Sequence, residues 1–181
     1  MMNQVFIING SGGVGKDEFV NFVDDVLFEH DIKVGNYSSV SRVKEIARMI
    51  GWNGKKTERD RKFLSDLKLL TTEYNDMPLN DMREYVEQFF ASFALFDSVI
   101  FLHIREPEEI AKAVEAFNAK TILVKRDAVE HITSNMADEN VFNYNYDYVI
   151  DNGGSLEDLK EAAKFFALEF LNGSLVPQVI S

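Results

Sequence analysis

The residues with the most pointed chemistry lie near the N-terminus. The apolar run VFIIN (5–9) is followed by Gly10, Ser11, Gly12, Gly13, Val14, Gly15, Lys16 and Asp17. Glycines at this density let backbone N–H groups converge on one point without Cβ clashes, which makes a cradle for an anion. From Gly15 onward, Phe19, Val23, Val26 and Leu27 recur at helical spacing. A helix there directs its positive end into the same cradle, and Lys16 adds a mobile cation. The pattern GxxxxGK[ST] is met at Gly10, Gly15 and Lys16, with Asp17 in place of the usual hydroxyl. Strand, loop and helix in this order predict that residues 10–17 cradle the phosphates of a nucleoside triphosphate. Asp17 has two readings. A carboxylate is a hard oxygen donor that suits Mg²⁺, directly or through water. It is also a favourable acid for a first helical turn.

A second group of candidates falls at the ends of other apolar runs. His103 lies near the end of SVIFLHI (98–104) and can accept a proton or hydrogen-bond a phosphate; it is a poor ligand for Mg²⁺. Arg105, two residues on, shares its strand face, and Glu109 is placed to orient that guanidinium. Arg42 and Lys44 begin a helix after the second run. They either hold an acceptor's phosphate or face solvent. Arg59 stands four residues before Phe63 and shares its stripe. Arg126 ends the fourth run and opens a polar segment, 126–145, suited to a mobile cover over a reaction centre. Asn152, Gly153 and Gly154 follow the fifth run.

The elements that must position these residues alternate. VFIIN (5–9), KVGNYSS (33–39), SVIFLHI (98–104), TILVK (121–125) and YDYVID (146–151) read as strands, with helical patterns between them. This order predicts a three-layer α/β fold with a parallel sheet and helices on both faces. Helices are expected over 15–30 and 43–50, from a Thr57–Asp60 capping box to Tyr74, around Met82–Phe93, over 108–117, and from a Ser155–Asp158 box through Phe170. Roughly 60 residues separate strands two and three, where a crossover needs about a dozen. The surplus, about 40–96, reads as a helical lobe beside the cleft. Tyr37, Trp52 and Tyr74 could stack a base there, although core packing is the commoner fate of aromatics. The tail 172–181 shows no pattern.

The chain has 181 residues, 46% of them hydrophobic, 15 Phe, no Cys and a formal net charge of −11. Length and core content predict one domain, 1–181. Without cysteine there are no disulfides or thiolate metal sites. That is compatible with a cytoplasmic location, and the N-terminal residues lack the pattern of a signal peptide. No apolar run reaches a membrane span. The acidic balance speaks against nucleic acid as a partner. A Phe-rich face on the 82–96 helix is either core or the surface of a homodimer.

The GKD at 15–17 resembles the bacteriophage-type deoxynucleoside monophosphate kinases, and the animal-type phosphomevalonate kinases are similar at this point. Five further stretches follow the phage-type family's order: SRVKEIA (41–47), ERDRKFLSDL (58–67), FLHIREPEEI (101–110), KRD (125–127) and YDYVIDNGGSLEDL (146–159). The resemblance implies a P-loop (Walker A) kinase fold with sheet order 2-3-1-4-5, and ATP and Mg²⁺ as cofactors. It implies a (deoxy)nucleoside monophosphate as phosphate acceptor. It adds Lys44 near the acceptor, Arg61 on the insert, Arg126 at the adenine or phosphates, and the Asn152–Gly153 loop passing the adenine. The family carries a carboxylate where this chain has His103. Related expectations are a kinase of phosphomevalonate or dephospho-coenzyme A, or an ATP-binding protein with reduced catalysis.

Overall fold

The computed structural model describes residues 2–126 and 140–180. Six parallel strands form one sheet: β1 (Asn3–Asn9), β2 (Lys33–Ser38), β3 (Ser98–His103), β4 (Lys120–Lys125), β5 (Tyr148–Asp151) and β6 (Gln178–Ile180), in the order β2-β3-β1-β4-β5-β6. Among the described residues the helices are α1 (Lys16–Phe28), α2 (Ser41–Met49), α3 (Glu58–Asn75), α4 (Met77–Ser92), α5 (Pro107–Phe117) and α6 (Leu156–Leu171), with a 3₁₀ turn at Asn140–Phe142.

Three layers follow from the two-residue period of β1. Phe6 and Ile8 point to one face, where Phe19, Val23 and Leu27 of α1 and Phe166 and Phe170 of α6 cover them. Val5 and Ile7 point to the other, against Met82 and Val86 of α4 and Ile110 and Ala113 of α5. Both faces are covered, so the strands read as unbroken apolar runs. The arrangement is the expected three-layer α/β fold, with the order 2-3-1-4-5 continued by a sixth strand.

The sheet has six strands where five were expected. Ile180 is buried against the α1–α6 face, and Gln178–Ile180 extends the sheet beside β5. Three residues are too few to show a period, so the strand was invisible in an unpatterned tail. The fourth helix starts at Met77, earlier than its apolar stripe suggests. Asp76, at φ 54°, ends α3 and starts α4 by itself, and Pro78 fits α4's first turn.

Both capping boxes form. Thr57 Oγ1 accepts from the Asp60 N–H while Asp60 Oδ2 accepts from the Thr57 N–H, and Ser155 and Asp158 do the same for α6. The region 40–96 contains α2, α3 and α4. None of α3's residues is buried. It is fastened at Lys68, whose Nζ donates to Glu109 of α5 at 2.6 Å with both side chains largely covered. On α4, Phe89 and Phe90 are half-buried against the core. Among the described residues no helix is long and apolar enough to cross a membrane.

Candidate functional site

β1 lies between β3 and β4, so the connections leaving its carboxyl end and that of β3 part to opposite sides. The crevice opened there is where ligands of open α/β sheets bind. The loop 10–15 fills its floor. Gly10 has φ 146°, and a Cβ on it would come within 2.2 Å of the Val124 carbonyl oxygen. Gly13 and Gly15 have φ of 81° and 93°, the left-handed region that favours glycine. Gly15 is the residue from which α1 starts. Ser11 and Val14 are buried, while Gly12 and Gly13 are exposed at the loop's crest. The Lys16 ammonium donates to the carbonyls of Gly10 and Ser11, which holds it over the loop.

Two asparagines brace this loop. Asn9 is fully buried. Its Oδ1 accepts from Gly10 N at 2.8 Å, and its Nδ2 donates to the Tyr146 hydroxyl at 2.7 Å and to the Arg105 carbonyl at 3.1 Å. One side chain thus ties the loop's first peptide to the ends of β3 and of the segment before β5. Tyr146 passes the connection on to the Val141 carbonyl at 2.8 Å, and burial pushes its hydroxyl pKa up to about 12. Asn152 is also buried, and its Nδ2 donates to the Val14 carbonyl at 2.9 Å. A Cβ on Gly15 would press to 2.6 Å of that nitrogen. The expected adenine-side residue therefore turns its side chain to the phosphate loop, and Gly153 beside it is exposed.

Charge gathers at the strand ends. Lys44 is half-buried, and its pKa lies below the ordinary lysine value. Desolvation is the main cause, followed by the fields of Lys56, Arg48 and Arg105; Asp17 acts in the opposite direction. His103 is held near pKa 4, first by burial and then by Lys16, Lys44 and Arg105, again against Asp17. Its ring is neutral at pH 7. Its Nδ1 lies 3.9 Å from Asp17 Oδ1, beyond hydrogen-bond range, and its buried Nε2 has no partner among the described residues. Asp17 itself is 85% exposed. The fold thus brings Lys16, Asp17, Lys44, His103 and Arg105 within electrostatic reach of one another.

Other candidates stand apart. Arg42 donates to Asp81 at 3.0 Å and to Glu45 at 2.9 Å, and Tyr37 donates to the same Asp81 at 2.7 Å. These carboxylates raise the Arg42 pKa further. Arg59 and Arg61 are both exposed near the start of α3. Glu109, expected to orient Arg105, accepts from Lys68 instead. Tyr37 stacks on Tyr85 with ring centroids 4.2 Å apart, Trp52 packs under Arg48, and Tyr74 faces solvent. Arg126 is partly buried just after β4, and most of the expected lid, residues 127–139, lies outside the described residues. Asn9, Lys56 and Tyr146 also belong to this neighbourhood. Asn9 carried a signal, being a polar residue that closes an apolar strand directly before the first loop glycine. Lys56 carried none, because its position depends on the path of the loop 50–57.

The sequence matches no family profile and no curated protein. Among solved structures, the crystal structure of a thymidylate kinase from Ehrlichia chaffeensis is similar with a TM-score of 0.46 and 13% identity, over 97% of this chain and 100% of that one. The protein APE1195 is similar with a TM-score of 0.30 and 12% identity, over 99% of this chain and 85% of that one. At these values neither likeness bears on what the chain does.

Proposed function

We propose that the protein is a phosphotransferase that binds ATP on the loop 10–17 and transfers its γ-phosphoryl group to a phosphate-bearing small molecule. One observation carries the reading. A glycine-built loop with Lys16 across it lies at the sheet's switch point, within the fields of Lys44 and Arg105. In an acidic chain, cations so collected suit phosphate groups. In the proposed step an oxygen of the acceptor phosphate forms a bond to the γ-phosphorus, and the β–γ bridging oxygen leaves with ADP. Backbone N–H groups and Lys16 neutralise the ATP phosphates, Arg105 and Arg126 face the transferring group, and Lys44 holds the acceptor.

Asp17 is the residue to hold a divalent cation, directly or through water, and its exposed carboxylate fits that task. When bound, the ion would neutralise charge shared by the β- and γ-phosphates. An acceptor already ionised at neutral pH needs no strong base, so a neutral His103 is compatible with transfer. A (deoxy)nucleoside monophosphate is the acceptor that the sequence resemblance favours. Nucleotide binding without transfer is a second reading, favoured by Arg42, whose guanidinium is engaged by two carboxylates. The test is to incubate the protein with ATP, Mg²⁺ and a panel of nucleoside monophosphates, with phosphomevalonate and dephospho-coenzyme A alongside, and to measure ADP. Release that depends on one acceptor supports the kinase. ATP binding with no acceptor-dependent release favours the second reading.

A further inference from the structure

We infer that Asp17 and His103 together seat the divalent cation accompanying the nucleotide, and that this mixed oxygen–nitrogen seat prefers Mn²⁺ or Co²⁺ to Mg²⁺. The inference rests on the nucleotide-binding reading above and adds the identity of the ligands and of the ion. His103 Nδ1 faces Asp17 Oδ1 at 3.9 Å. Two adjacent ligands of one octahedral ion, with bonds of about 2.1 Å, stand about 3.0 Å apart. Closing that difference takes a small swing of one side chain. Asp17 is 85% exposed and can make it, whereas His103, 15% exposed, stays where the end of β3 holds it.

The chemistry of the pair agrees. An imidazole without its second proton has a lone pair to give at one ring nitrogen, and Nδ1 is the one that faces Asp17. Coordination through Nδ1 places the ring proton on Nε2. Imidazole is a favourable donor to transition-metal ions and an unfavourable one to Mg²⁺. Among the described residues no three His, Cys, Asp or Glu side chains are grouped to hold an ion unaided. Lys16, Lys44 and Arg105 repel a bare cation. The seat therefore needs phosphate oxygens to complete it, and it fills with the metal–nucleotide complex rather than with metal alone.

The test uses the full chain with Mn²⁺ and ADP. Loss of the free Mn²⁺ electron-paramagnetic-resonance signal reports binding, and electron-spin-echo modulation reports which nuclei touch the ion. The expected result is nitrogen modulation that changes when the protein is labelled with ¹⁵N-histidine and disappears in His103→Asn and His103→Gln. The isotope measurement needs no variant and so does not depend on either one folding. Losing a direct ligand should cost at least what losing an outer-shell partner does, so the preference for Mn·ADP over Mg·ADP should fall about ten- to a hundredfold. Bound Mn·ADP with no histidine modulation overturns this inference and leaves the nucleotide reading standing. Failure of both Mn·ADP and Mg·ADP to bind overturns both.

Discussion

His103 gives the residue scale its sharpest consequence. Its ring is neutral in the folded protein down to about pH 4, whereas an unfolded histidine gains a proton near pH 6.5. The unfolded state therefore binds more protons between these values, and stability falls as pH drops through that window. The full effect is on the order of 3 kcal/mol, complete near pH 4 and absent above about pH 7. Urea denaturation at pH 7 and pH 4.5 should show a larger loss for the wild type than for His103→Gln. The groups facing the ring set the sign: Lys16, Lys44 and Arg105 oppose its protonation, and only Asp17 favours it. Asp17→Asn should therefore hold the ring neutral to a lower pH, which a histidine-resolved NMR titration reads directly. Gly10 is constrained in another way. Its Cβ position is 2.2 Å from a backbone oxygen, and its φ is 146°. Gly10→Ala should cost about 2 kcal/mol of backbone strain, seen as a melting temperature lower by roughly 4–8 °C.

Among the elements, the Lys68–Glu109 pair is what fastens α3, a helix with no buried residue, to α5. Lys68→Met leaves a largely covered carboxylate unpaired and should cost on the order of 2 kcal/mol, while Lys68→Met with Glu109→Gln should recover much of that. Equal stability of the single and double variants would remove the pair from its fastening role. This contact also shows what the sequence could and could not convey. The strands β1 to β5, both capping boxes and the glycine loop were legible because each is a local pattern: an apolar run, an acid three residues after a hydroxyl, glycines before a lysine. Glu109 was read toward Arg105 because the two are near in sequence. Its partner Lys68 comes from a helix 41 positions away, and nothing local points there. Arg42 was placed by its neighbours in sequence as well, whereas Asp81 reaches it from α4. Asn152 shows the same limit, since its side chain donates to the carbonyl of Val14, 138 positions away, which no local pattern conveys.

At the scale of the whole molecule, the sheet is completed by its last residues. β6 covers the edge of β5 and buries Ile180 in the α1–α6 core. Ile180→Ala should cost about 2 kcal/mol, and removing 175–181 should cost more and expose β5 as an edge that promotes association. Six strands, two braced asparagines and the helices of both layers converge on one crevice, and the claim that matters most is that this crevice binds the phosphates of a nucleoside triphosphate. Calorimetric titration of ATP with Mg²⁺ into the wild type and Lys16→Ala tests it most directly. The wild type should bind with one site, and the variant should bind about tenfold or more weakly, the loss of a charge-assisted contact of about 1.5–3 kcal/mol. A wild type that does not bind ATP, or a variant that binds it equally well, would contradict the account.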